Sequence, residues 1–532
     1  MHEADRESFL KHAKAFSLVP IVRRLMSDQV TPVLAYRRLV SPDSRSSASF
    51  LLESVEVGGS LGRHSMVGSH PIMELTARGH EVTTVDHRTG ESSTRTEPNP
   101  LRVPRDLLAG HEAAPLPPSI SSGCLPGCRG GWFGHVGYDT VRYIEGDALP
   151  FSSAPPDDRD LPDMHFGLYR DLLIFDHVDK LLYLVVHVAV AEHASAEAAW
   201  DAGQEALDVL ARAVQKHSVP LPGGAVDLAL ASNPDVPGSS NMSQSQFEAA
   251  VERCREYIRA GDAFQIVPSQ RFQRDTGADP FAIYRALRII NPSPYMIYMQ
   301  TPDVVLVASS PEILCRVSGG VVTNRPLAGT RRRGATAEQD DALARELLSD
   351  PKECAEHTML VDLARNDIGR VCAPDSIEVE RLMEVELYSH VMHLSSTVVG
   401  TLREGLDCWD ALQQSLPVGT VSGAPKVRAM QIIDELEPTR RGPYAGGIGG
   451  VGFNGDMDIA IALRTMVIPS KPADAANWTV HMKAGAGVVL DSDPSLEYQE
   501  TVNKAAAMGR AVDLAEHAFA GDEAPGQGLP VD

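Results

Sequence analysis

The chain has 532 residues, of which 48 are Lys or Arg and 71 are Asp or Glu, and the resulting net charge of -23 argues against a surface for nucleic acid or anionic lipid. Its length exceeds one typical domain of about 100–200 residues, so two lobes or one large fused unit are expected around a sizeable core. Seven cysteines in a composition of 43% hydrophobic and 22% charged residues fit a soluble globular protein without a disulfide framework.

In chain order, residues 1–16 carry mixed charges instead of a basic end followed by an apolar stretch. The longest apolar run, residues 181–191, contains His187 and is too short to span a bilayer, so a cytoplasmic location without membrane contact is expected. Apolar runs at 49–57 and 171–190, set between turn residues, predict a strand-rich N-terminal lobe over residues 1–217. Residues 98–128 are rich in Pro, Gly and polar residues and read as loop. Pro220, Pro222, Gly223, Gly224, Pro234, Pro237 and Gly238 mark a linker over residues 218–245. Ser243 and Gln246 then form a capping box before Phe247, Val251, Cys254 and Ile258, which share one helical face, and Gly261 marks the end of that helix. Strands and helices follow in mixed order across residues 246–512 without a regular βαβ repeat, which predicts an α+β fold. Residues 513–532 are expected to form a flexible tail.

Three motif matches fail on their context. Gly447, Gly449 and Gly452 satisfy G-x-G-x-x-G, but Phe453-Asn454-Gly455-Asp456 and an apolar run follow, which is a hairpin and not the helix N-terminus that a phosphate requires. The stretch at 58–62 matches a nucleophile elbow without a helix after it and reads as a turn. Cys124 and Cys128 lack a second ligand pair at zinc spacing and read as ordinary loop thiols.

The informative constellation is acidic. Glu353 with Glu356, and Glu497 with Glu500, lie three apart in two predicted helices, which puts each pair on one face about 5–6 Å apart at Cβ. A pair alone reads most simply as a solvated face. The first pair leads into an apolar stretch at 359–364, however, and the second follows the glycine-rich strand at 484–490, so both are expected to face inward. A hard divalent cation with oxygen ligands would relieve the repulsion between them. Arg464 ends an apolar run, where its planar fork can grip a carboxylate or simply face solvent. Gly485 and Gly487 can bring backbone N–H groups close to an anion, or mark a bulge. His393, in the apolar run 391–394, is either a satisfied core residue or a proton-transfer group, and Glu312, on a turn after the strand at 304–307, is a candidate acid.

Beyond these residues, eight blocks carry a family resemblance: Phe264-Gln-Ile-Val-Pro-Ser-Gln-Arg271, Asn291-Pro-Ser-Pro-Tyr-Met296, Ser309-Ser-Pro-Glu312, Arg325-Pro-Leu-Ala-Gly-Thr330, Lys352-Glu-Cys-Ala-Glu-His357, Asp362-Leu-Ala-Arg-Asn-Asp367, Gly419-Thr-Val-Ser-Gly-Ala-Pro-Lys426 and Lys483-Ala-Gly-Ala-Gly-Val-Val489. Together they resemble the chorismate-utilising enzymes, and among these the anthranilate synthase component I branch, from about Thr31 to Arg510. The resemblance implies two antiparallel sheets packed as a sandwich with flanking helices, plus an intertwined N-terminal regulatory lobe. It implies that chorismate binds with Mg2+, the metal touched by Glu356 and Glu500 and its waters supported by Glu353 and Glu497. Arg464, Tyr444, Gly485 and Gly487 would hold the substrate carboxylates, with Gly329, Thr330 and Thr420 nearby. Glu312 resembles the acid that protonates the departing C4 hydroxyl while ammonia adds at C2, and His393 the residue tied to pyruvate elimination.

The branch follows from chemistry at two positions. Gln265 stands where isochorismate and salicylate synthases carry a water-activating Lys, and an amide cannot serve as that base. Ala328 stands where aminodeoxychorismate synthases carry a nucleophilic Lys, so direct attack by ammonia remains. By the same resemblance Ser54, Pro294, Tyr295 and Met296 would contact tryptophan as feedback inhibitor. Here His64 and Met66 replace the usual aromatic residues of a Gly-Arg-Tyr-Ser-Phe-Ile-Gly stretch. The chain has no Gly-x-Cys-x-Gly elbow, so a separate glutamine amidotransferase subunit is expected to supply ammonia within a hetero-oligomer. Two other readings stand beside the lyase: a 2-amino-2-deoxyisochorismate synthase that stops before elimination, and a catalytically silent binding protein.

Overall fold

Leu181–Ala189 is buried at every position but its first, so neither face of that strand meets water. Strands of this kind belong to sheets covered on both sides. The computed structural model describes residues 3–40, 47–54, 62–120, 125–216, 221, 223–227, 237–388, 391–471 and 475–519, and its strands form two large antiparallel sheets. The first has eleven strands in the order Leu18–Met26, Leu181–Ala189, Asp171–Asp176, His64–Ser69, Ser49–Glu53, Tyr295–Gln300, Val304–Ser310, Thr465–Pro469, Trp478–Gly485, Ser269–Thr276 and Ser239–Ser240. The second runs Leu327–Arg332, Val391–Thr401, Val321–Asn324, Ile313–Ser318, Met457–Ile461, Gly447–Gly452, Gly131–Val136, Met164–Tyr169, Met73–Arg78, Glu81–Asp86 and Glu91–Thr96, with Glu378–Leu387 also paired to Val391–Thr401.

The period of two along each strand sorts side chains between cores. Phe50, Ile297 and Leu306 join Phe133, Ile448 and Ala460 of the second sheet in a core between the sheets. Their neighbours Leu51, Met296 and Val305 turn to the opposite face, where they meet helical residues such as Ala35, Leu207, Leu287 and Met508. The outer face of the second sheet packs on Val361, Ile368, Trp409 and Leu412. Helices therefore flank a two-sheet sandwich. The stacked rings of Phe50 and Phe133, with centroids 4.4 Å apart, tie the sheets together, a geometry worth about 0.5–1.5 kcal/mol beyond burial.

Both halves of the chain contribute to each sheet. Glu53 lies opposite Met296 in the first, and Trp132 opposite Val451 in the second. The capping box of Ser243 and Gln246 is present, and Gly261 ends the helix Gln244–Ala260 with a φ of 86°. The expected hairpin joins Gly447–Gly452 to Met457–Ile461. Residues 98–128 are not uniformly loop, since Val103–Leu107 is a short helix with Val103 buried. The expected linker ends early, because Ser239 and Ser240 already pair with Gln273 and Phe272; its residues 218–220, 222 and 228–236 lie outside the described residues, as do the 58–61 part of the elbow match and Cys124.

One boundary needs correction. The helix Pro494–Phe519 continues through the expected start of the tail at 513, with Leu514 and Ala515 each 1% exposed. Ala511, Val512, Leu514 and Ala515 extend the helix's apolar stripe at i, i+1, i+3 and i+4, which the polar composition of the later residues masks. The remainder of the expected tail lies outside the described residues. The six described cysteines are free thiols. No described helix is long and apolar enough to cross a membrane.

Candidate active site

Strands that stop at the same end of the sandwich leave their terminal residues around a common cavity of about 220 Å³. Glu312 follows Val304–Ser310, Arg464 precedes Thr465–Pro469, and Gly485 closes Trp478–Gly485. Gly329, Thr330 and His393 come from an adjacent pair of strands, Thr420 from the short helix Gly419–Ser422, and Glu356 and Glu500 from the helices Pro351–Gly369 and Pro494–Phe519. All of these, with Tyr444 and Gly487, line the cavity. The sequence-predicted substrate and catalytic residues therefore converge.

Glu312 is only 6% exposed, unlike a solvated turn residue. Burial pushes its carboxyl up to about 8, and a hydrogen bond from the Thr420 hydroxyl at 3.2 Å offsets part of that rise. It is a carboxylic acid at neutral pH, able to give up a proton. His393 has the opposite shift. Burial lowers its imidazole to about 4, so the ring is neutral, and its Nδ1 lies 2.9 Å from the Gly329 carbonyl, which can only accept. Nδ1 is therefore the protonated nitrogen, with Thr330 Oγ1 3.1 Å away, and Nε2 keeps a lone pair. That arrangement suits proton acceptance better than a purely structural core role.

Arg464 is desolvated, which depresses its guanidinium, and it pairs with no carboxylate among the described residues. A buried cation without a counter-ion is costly unless a ligand supplies one. Its backbone is also strained, with φ at 45°, and Ala445 beside Tyr444 has φ at 66°; such conformations cost about 1–3 kcal/mol each and concentrate at functional sites. Gly485 admits the approach of other groups. A Cβ there would stand 2.9 Å from the Pro268 carbonyl oxygen and 3.0 Å from the Tyr444 hydroxyl. At Gly487 a Cβ would come within 3.0 Å of Gln265 Nε2.

The acid pairs depart from expectation. Glu356 is half-buried and accepts a hydrogen bond from Gln265 Nε2 at 2.8 Å. Its carboxyl is raised, first by burial and then by Glu353 and Glu500. Glu497 is raised likewise by burial and by Glu500. Glu500, however, stands at the mouth with its side chain 47% exposed, paired to Lys504 at 2.5 Å, and Glu353 is held by Arg331 at 3.0 Å. Both pairs do not simply face inward, because Arg331 and Lys504 already neutralise part of the charge. Among the described residues no three His, Cys, Asp or Glu side chains converge closely enough to hold a metal ion. The donor set nonetheless fits Mg2+, since it is all carboxylate, mutually repulsive and incomplete, and that ion retains several waters.

Sequence reasoning passed over Lys504, whose ammonium also donates to the Gly485 carbonyl at 3.0 Å, and Lys483, which lines the cavity. Lys504 was findable, as it lies four residues after Glu500 on one helix face. A second cavity, of about 280 Å³, contains Ser54, Pro294, Tyr295 and Met296 together with Glu53, Arg316 and Asp458. His64 and Met66, the two replaced positions, also line it, and Pro311, Glu312 and Leu327 form a wall common to both cavities.

A family model for chorismate binding enzymes matches residues 50–510. The chain belongs to the chorismate binding enzyme family. This chorismate binding enzyme is 50% identical over 523 residues to anthranilate synthase alpha subunit 1, chloroplastic, of Oryza sativa subsp. indica, covering 95% of this chain and 90% of the relative. It is 42% identical to anthranilate synthase component 1 of Pseudomonas putida, covering 97% of this chain and 100% of that protein. Among solved structures, the anthranilate synthase component I of Streptococcus pneumoniae superposes with a TM-score of 0.69 at 36% identity, covering 92% of this chain and 99% of that one.

Proposed function

We propose that this chorismate binding enzyme is the large subunit of an anthranilate synthase, a lyase that converts chorismate and ammonia to anthranilate and pyruvate. The observation that carries this reading is a buried Glu312, protonated at neutral pH, in one cavity with Arg464, which has no carboxylate partner among the described residues. Arg464, Tyr444 and the backbone at Gly485 and Gly487 hold the substrate's carboxylates. As ammonia forms a bond at C2 and both ring double bonds shift, the C4–O bond breaks, Glu312 delivers the proton with which the hydroxyl leaves as water, and the new C2 ammonium gives up one proton to become the amine. The neutral His393 then takes the C2 proton, the bond from C3 to the enolpyruvyl oxygen breaks, and the ring becomes aromatic. Gln265 and Ala328 stand at the two positions where a lysine would activate water or form a covalent adduct, and neither side chain can do so.

Mg2+ would be held by Glu356 and Glu500, with Glu353 and Glu497 behind them, and when bound it supplies positive charge to a substrate carboxylate. Ammonia reaches the site from a separate glutamine amidotransferase subunit, and the pair works in the cytoplasm. The test is to incubate the chain with chorismate, MgCl2 and an ammonium salt and identify the product by fluorescence and mass. Anthranilate supports the proposal. Accumulated 2-amino-2-deoxyisochorismate supports the amination-only reading, and isochorismate overturns the argument from Gln265.

The cavity around Ser54, Pro294, Tyr295 and Met296 is the proposed tryptophan site. Loss of one hydrogen bond costs about 0.5–1.5 kcal/mol, so Ser54→Ala is expected to raise the half-inhibitory tryptophan concentration about 2- to 10-fold. An unchanged inhibition curve removes Ser54 from the inhibitor site.

A further inference from the structure

Behind the catalytic cavity lies a buried ion cluster with no assigned role. Glu437, 5% exposed, accepts hydrogen bonds from the Ser269 backbone and hydroxyl at 2.9 and 2.7 Å, from Arg441 Nη2 at 2.6 Å and from Lys483 Nζ at 2.7 Å. Arg441 also donates to the carbonyls of Val421 and Val267 at 2.7 and 2.6 Å, and its guanidinium lies 5.6 Å from the Tyr444 ring centroid. These bonds tie together the segments that carry Thr420, Gln265, Tyr444 and Gly485. Burial would raise Glu437, but Arg441 and Lys483 outweigh it and hold the carboxyl at about 2. Burial lowers Lys483 to about 8 against the pull of Glu437, so the ammonium is charged at pH 7.

Two cations and one anion leave a net positive charge in a region from which water is excluded. Isolated buried charge of this kind is costly, and a cluster meant only to fasten the fold would be better balanced. The excess sits on the substrate side. Met482 and Ala484 point into the helix-facing core, so the alternation of Trp478–Gly485 turns Lys483 and Gly485 together toward the cavity that both line.

We propose that Lys483 is a specificity-determining residue that favours a dicarboxylate over a monocarboxylate, its ammonium held by Glu437 as a positive charge beside the Gly485 end of the carboxylate cradle. The inference rests on the chorismate reading above. With Arg464 and the glycine backbone it answers two negative charges, whereas a ligand with one carboxylate needs only one of the two cations.

The experiment is equilibrium binding without ammonium, so that turnover is not required, of chorismate and of benzoate in MgCl2 to the full chain and to Lys483→Met, Lys483→Gln and Lys483→Arg. Lys483→Met and Lys483→Gln are expected to weaken chorismate on the order of 10- to 100-fold, as for one charge-assisted contact. Benzoate should change by less than about threefold, and Lys483→Arg should restore most of the chorismate affinity. Equal losses for both ligands, no loss for either, or failure of both neutral variants to fold makes Lys483 a structural residue and overturns the inference. A wild-type chain that does not bind chorismate overturns the proposed function itself, and this inference falls with it.

Discussion

Glu312→Gln is expected to lower kcat about 100- to 10,000-fold, the range for loss of a positioned general acid, with the chorismate KM nearly unchanged. The amide is almost isosteric and can still accept from Thr420, so packing is kept while the transferable proton is lost. The pH dependence has a definite sign. The acid works only when protonated, so wild-type kcat should fall as pH rises through about 8, and the residual rate of Glu312→Gln should lack that descending limb. Stability follows the same titration. Because the folded carboxyl binds its proton more tightly than the unfolded one, its contribution is complete below the unfolded pKa of about 4.3 and is lost as pH rises through about 8. Urea midpoints of the two proteins between pH 5 and 9 check this. A descending limb that persists in Glu312→Gln assigns the proton to another group.

Arg464→Met is expected to separate stability from activity. In the ligand-free fold the guanidinium is desolvated without a carboxylate partner and sits on a residue with φ at 45°. Replacing it with an apolar chain of similar length removes the desolvation cost, and unfolding free energy should rise by about 0.5–2 kcal/mol, typical of stabilising changes made at the expense of function. The backbone strain remains, since Met tolerates that conformation no better. Substrate capture moves the other way. Loss of one member of a buried charge pair costs about 2–5 kcal/mol, so kcat/KM should fall about 30-fold to a few thousand-fold. Thermal unfolding and steady-state kinetics on one preparation check both halves. A variant that loses stability as well shows that Arg464 supports the fold and is not held ready for an anion.

Local chemistry made much of the structure legible. The Ser243–Gln246 box, Gly261 and the turn at 453–456 depend on neighbours within four residues, and each forms where the sequence places it. The acid spacing likewise predicted which faces of two helices carry Glu353, Glu356, Glu497 and Glu500. Periodicity alone did not reveal which partners those faces would meet. Arg331 reaches Glu353 across 22 residues of chain, and Lys483 reaches Glu437 across 46, separations that carry no local signal. The strained backbone of Arg464 is equally invisible, because αL conformations are read from glycine or asparagine and this residue is neither. The end of the last helix is hidden for a simpler reason, since the polar composition beyond Phe519 masks an apolar stripe that continues to Ala515.

The interleaving of the two halves bears on how this protein could be re-engineered. A chimera joined within residues 218–245 would ask Ser49–Glu53 of one parent to zip onto Tyr295–Gln300 of another, and Gly131–Val136 onto Gly447–Gly452. Every donor segment would thus need ladder and core complementarity with a foreign neighbour. Altering the second cavity therefore calls for transplanting its individual side chains, such as those at 64 and 66, in place of a block. Biogenesis is constrained as well: the second sheet cannot close until ribosomal synthesis has passed residue 461, nor the first until it has passed residue 485, so earlier truncation products expose unpaired edges and invite aggregation.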